Sequence, residues 1–146
     1  MNLLRTTKVT RVLNAVAAGT TDQNGSTIDM QGWDGVVFLV AFGTITAGAV
    51  TSIKAQQGAA SDLSDAADLE GTGVPVADTD DNKVAALDIV RPRERYVRVV
   101  VDRGTQNAVI DGAIAIQYRG RKAPTTHDTS TVVTPETHAS PAEGTA

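Results

Sequence analysis

Hydrophobic and polar residues alternate along most of the first 118 positions in short runs, separated by turn residues. Residues 7–17 form the first such run. Gly19-Thr-Thr-Asp-Gln-Asn-Gly25 follows as a polar loop ending in an Asn-Gly turn signal, then a short strand at 26–30 with Ile28 and Met30 facing one way. Gln31-Gly-Trp-Asp-Gly35 reads as a turn. Residues 36–45 are the most apolar run: Val36, Phe38, Val40 and Phe42 share one face, and Val37, Leu39 and Ala41 share the other. Apolar residues on both faces predict a central strand buried on both sides, or one with an interface on its second side. Residues 50–57 alternate cleanly, with Thr51, Ile53 and Ala55 opposite Ser52, Lys54 and Gln56, as a half-exposed strand does.

The middle of the chain is less regular. Residues 58–72 read either as a helical turn, capped by Ser61 or Asp62 and stopped by Gly71, or as an irregular loop. Val74-Pro-Val-Ala77 is a short strand placed at a sheet edge by Pro75, which has no N–H to give to a ladder. Residues 83–90 form a strand with Ala85, Leu87 and Ile89 inward. Two long strands, 95–104 and 108–118, close the pattern at about eight or nine strands. No helix is long enough for a parallel crossover, so the fold class is all-β: an antiparallel sandwich or barrel over residues 1–119.

After Arg119 no long hydrophobic run recurs. Residues 120–146 are rich in Thr, Pro and Ala, hold three of the five prolines, and have Val132-Val133 as their one apolar pair. Such a segment buries too little surface to offset its own ordering entropy. It is expected to be a flexible arm, extended where it meets a partner.

Composition narrows the chemistry. The core must be built from aliphatic residues, because the chain has one Trp, two Tyr and two Phe. A net charge of −4 argues against direct nucleic-acid binding as the main task. The absence of cysteine excludes thiol nucleophiles and disulfides. No apolar run is long enough for a transmembrane helix, and the N-terminal residues lack an apolar signal core. Both histidines, His127 and His138, lie in the arm, so the β body has no imidazole for triad catalysis. No catalytic residue, cofactor or metal site is expected. The Asp78-Thr-Asp-Asp-Asn82 run lacks the central Gly and terminal Glu of a calcium loop, and reads first as a solvated turn. Asp62, Asp65 and Asp68 would share a face only if a helix formed there.

Two features stand out as candidate partner or subunit contacts. Arg91, Arg93, Arg95 and Arg98 place four guanidiniums within eight residues, suited to forked contacts with carboxylates or phosphates. Pairing with the chain's own Asp-rich loops is the competing reading. Trp33 lies between two turn glycines, as a plug at one end of the sandwich or as an exposed anchor.

The segments Lys8-Val-Thr-Arg-Val-Leu-Asn, Met30-Gln-Gly-Trp-Asp-Gly-Val-Val-Phe, Ser52-Ile-Lys-Ala-Gln-Gln-Gly and Arg95-Tyr-Val-Arg-Val-Val-Val-Asp-Arg-Gly, in that order, resemble small virion proteins of tailed phages and prophages. The family is that of head decoration, or cement, proteins with a jelly-roll fold. The likeness covers residues 5–119 and excludes the arm. It implies a non-enzymatic protein made in the bacterial cytoplasm. That protein would bind the outer capsid surface, bridge major capsid subunits and self-associate as a dimer, or alternatively a trimer. A head–tail joining or tail-tube component is the first alternative, and a carbohydrate-binding jelly roll the second.

Overall fold

The computed structural model describes residues 2–140 and 142–145. Its ordered body is built of strands. After one helical turn, α1 (Leu3–Thr6), come β1 (Lys8–Leu13), β2 (Val16–Gly19), β3 (Gln23–Asn24), β4 (Ile28–Asp29), β5 (Gly35–Ile45) and β6 (Val50–Gly58). Then follow β7 (Ala67–Asp68), β8 (Val74–Val76), β9 (Val84–Val90), β10 (Tyr96–Gly104) and β11 (Ala108–Tyr118).

Two antiparallel sheets face each other. The first has the order β1-β11-β5-β9, with β2 continuing the line of β1 along β11. The second has the order β3-β10-β6-β7, with β4 beside β10 and β8 beside β6. The expected strand at 7–17 is split into β1 and β2, while β3 lies in the expected polar loop at 19–25 and β7 in the irregular 58–72 segment. β3/β4 and β7/β8 each run along one neighbour, as β1/β2 does. Counting each as one gives eight strands in two sheets of order 1-8-3-6 and 2-7-4-5. This is a jelly-roll-like sandwich in which the first and last strands lie side by side.

The alternation decides what is inside. Val36, Phe38, Val40 and Phe42 of β5 pack against Ile53 and Ala55 of β6 and Val97, Val99 and Val101 of β10, all within one buried cluster. Leu87 and Ile89 of β9 and Ala113 and Ala115 of β11 complete that layer. Gly112, at φ +150°, sits where the pairing of β11 with β5 slips register. Only glycine adopts that backbone angle without strain, and a Cβ there would meet the Leu13 carbonyl at 3.3 Å.

Residues 58–72 contain no helix. Asp65 accepts backbone N–H bonds from Ala59 and Ala60, and the two-residue β7 pairs with β6. The irregular loop of the two sequence readings is the one that forms, with Asp62, Asp65 and Asp68 not on a shared helical face. The expected edge strand around Pro75 does form, with β8 on the outer side of β6.

The arm differs from the expectation of a free segment. The Arg121 N–H donates to the Gly32 carbonyl and the Thr125 N–H to the Arg5 carbonyl, each at 2.9 Å. His127, expected to be solvated, is buried. Its Nε2 lies 2.8 Å from the Leu4 carbonyl, and its Nδ1 accepts from the Val9 N–H at 3.4 Å. The physical reason is polar rather than apolar. Backbone groups of α1 and β1 left without ladder partners find them in residues 121–127. Val133, by contrast, is 92% exposed.

Candidate functional site

The two outer faces of the sandwich differ in kind. On the β10/β6 sheet, the outward side chains pair with one another. Lys54 Nζ lies 3.0 Å from Asp68 and 3.5 Å from Asp102. Gln56 donates to Asp68, and Arg98 Nε donates to Gln56 Oε1 at 2.8 Å. The Gln56 amide and the Lys54 ammonium hold the Asp68 carboxyl below its usual range. This face is polar and satisfies itself.

The outer face of the β1-β11-β5-β9 sheet is apolar at its centre and carries Arg11, Asp88 and Asp111 around that centre. Cross-strand register lines up Val9, Ile116 and Val37 in one row that ends in Asp88, and Ile114, Leu39 and Ala86 in the next, which begins with Arg11. Ala41 and Val84 form a third pair, and Gly35 and Val90 a fourth. Ile114 is 42% exposed, Val84 60% and Val90 58%. Val132 and Val133 of the arm close one side of a groove of about 520 Å³ over this face. The second apolar face of residues 36–45 is therefore the outward side of a central strand.

The five candidate contact residues divide. Trp33 is half-buried, packs against the core from the turn before β5, and leaves one side open. Arg91 and Arg93, from the corner between β9 and β10, line the same open cup as Trp33, of about 610 Å³. Arg95 borders the cup but is committed elsewhere. Its Nε and Nη2 fork onto Asp29 at 2.9 and 2.8 Å, and its guanidinium lies 5.2 Å from the Tyr96 ring centre. Arg98 is not in this group; it belongs to the polar outer face of β10. Arg95 thus pairs within the chain, but with Asp29 of β4 and not with an Asp-rich loop, and Arg98 bonds an amide.

Two participants escape the sequence reading. Arg121 folds back under the Trp33 turn and separates the Trp33 cup from a second one of about 590 Å³ that holds Lys8 and Lys122. It lies in the segment expected to be a free arm, and the adjacent cations Arg121-Lys122 are its one signal in the sequence. The other is Arg103, 5% exposed, whose guanidinium donates to the carbonyls of Thr21, Ala17 and Ala108. Burial pulls its pKa below the usual guanidinium value, partly opposed by Asp22. Its parity with Val97, Val99 and Val101 on β10 already placed it inward.

The acidic run at 78–82 stitches loops together. Asp78 accepts from the Gly48 N–H, Asp80 from Ala77 and Lys83, and Asp81 from the Ile45 N–H. Among the described residues no three His, Asp or Glu side chains gather as for a metal ion. No helix among them is long and apolar enough to cross a membrane. The sequence matches no protein-family model, and no curated protein matches it.

Proposed function

We propose that this chain is a structural virion protein that binds the outer surface of a phage capsid and stabilises it by bridging major capsid subunits. The observation that carries this reading is the contrast between the two sheet faces. One is polar and internally paired; the other presents Val37, Leu39, Ile114, Ile116 and Val84 to the outside. The resemblance of residues 5–119 to jelly-roll decoration proteins supplies the kind of partner. A rigid body with one apolar face gains little from a single weak contact. Repeated over a capsid lattice, with each copy touching two neighbours, the same contact becomes avid. Self-association as a dimer belongs to the same proposal.

The test is the copy number in purified particles, measured by quantitative mass spectrometry against the major capsid protein. A ratio that scales with the capsid subunits supports the reading. A ratio corresponding to a single ring replaces it with a head–tail joining component, and absence from particles overturns it.

A further inference from the structure

The structure assigns a second contact surface: the Trp33 end of the sandwich is a docking site for a carboxylate-rich segment of a partner polypeptide. It deepens the capsid-binding proposal by naming the chemistry of one contact, and it rests on that proposal only for the partner's identity. Trp33 and Arg121 form the wall between two adjoining cups. Arg91 and Arg93 line one cup, Lys8 and Lys122 the other. None of these five cations makes an ion pair among the described residues. The carboxylates bordering the cups are Asp29, Asp34 and Glu94, and Asp29 is already held by Arg95. A chain of net charge −4 therefore concentrates unneutralised positive charge at one end, around its single tryptophan.

Arg91 and Arg119, which bracket this end, sit at φ +51° and +52°, where glycine or asparagine is the low-cost residue. Arg91 is held there by its N–H to the Asp34 carbonyl at 2.7 Å. Arginine forks match carboxylates, and an indole with one open side adds an anchoring surface. An acidic polypeptide is favoured over nucleic acid because the chain's net negative charge opposes a long polyanion, whereas a short acidic segment meets only the local cations.

The test uses the full chain and the emission of Trp33, titrated with hexaglutamate peptide and, separately, with a thymidine hexanucleotide. The peptide is expected to give a saturable emission change that weakens about tenfold in Arg93→Glu/Arg121→Glu and also weakens with added salt. Lys54→Gln, on the opposite sheet, should leave it unchanged. No saturable change, or one insensitive to both salt and the charge reversals, overturns the proposal, as does tighter binding of the oligonucleotide. The salt series needs no variant, so a misfolded mutant cannot mask the answer. A protein that binds the peptide but not capsids would sink the virion reading and leave this one standing.

Discussion

Gly120 lies flat against the indole of Trp33: a Cβ at position 120 would stand 2.6 Å from Cζ3 and 2.9 Å from Cη2. The first residue of the arm is thereby locked to the turn that opens β5. Gly120→Ala must displace the ring or lift the arm, at a cost of about 1–3 kcal/mol. Because Trp33 is the only tryptophan, its emission reads the change directly. A shifted emission maximum and a lower unfolding midpoint are expected. A spectrum identical to wild type would show that the arm does not rest on Trp33.

Arg103 is the polar pin of the opposite end. Its guanidinium joins the 17–21 segment to the start of β11, and its backbone N–H bonds Asp22 Oδ1 at 2.8 Å. Arg103→Met keeps the apolar stem but strips donors from buried carbonyls, and should cost about 2 kcal/mol or more. Urea unfolding checks this: the midpoint should fall with an unchanged slope. A change below about 0.5 kcal/mol, the scale of ordinary surface substitutions, would mean that water replaces the lost donors.

Tyr118 and Asp29 contribute opposite pH dependences. The Tyr118 hydroxyl donates to Asp88 at 2.7 Å, and burial together with that carboxylate raises its pKa to about 12. The folded state thus favours the protonated phenol. That stabilisation is complete below the unfolded pKa of about 10 and disappears as the pH rises from there to the folded value. Tyr118→Phe should flatten the alkaline limb of stability. Asp29 behaves oppositely, since its hydrogen bonds to the Arg95 guanidinium lower its pKa. Its contribution is present above the unfolded carboxylate pKa and is lost as the pH falls through the lower folded value. Arg95→Gln should therefore lower stability at neutral pH and flatten the acid limb, with the difference from wild type vanishing in strong acid. Thermal unfolding followed from strongly acid to strongly alkaline pH separates the two.

His127 fastens the arm to α1 and β1 through both ring nitrogens. His127→Ala removes both bonds while leaving the sandwich core untouched. Amide exchange should accelerate at Thr125 and Val9, whose N–H groups are held across this junction, and remain slow at Val99 and Val101. Faster exchange throughout β10 would instead make the arm part of the cooperative core.

Much of the body is legible in the alternation of its residues. The parity of Thr51, Ile53 and Ala55 identifies an inner face from spacing alone, whereas in residues 36–45 it sorts Val36, Phe38, Val40 and Phe42 from Val37, Leu39 and Ala41 and the fold decides which set is inside. The inner face then fixes which side chains look outward. Strand breaks are less legible, because the bulges between Arg11 and Leu13 and between Ala108 and Gly112 are settled by cross-strand register. Residues 58–72 have helical spacing and no helix, since Asp65 and Asp68 gain more from the backbone of 59–60 and from Lys54 and Gln56 than from a helical turn. The contact residues are legible only in part. Arg91 and Arg93 sit together near the Trp33 turn, as their spacing suggests. Arg98, five residues after Arg93, falls within the same run but on a strand face, and Arg121 meets the cup only through the fold.

The apolar outer face is the centre of the account, and sedimentation with capsids tests it most directly. Purified protein is mixed with capsids lacking it, as wild type and as Leu39→Asp/Ile114→Asp, two outward positions that pair across β5 and β11. Wild type is expected to pellet with the capsids to a saturating ratio set by the number of capsid subunits. The variant should stay folded by circular dichroism and remain in the supernatant. Equal pelleting of wild type and variant, or a wild-type protein that stays in the supernatant, would contradict it.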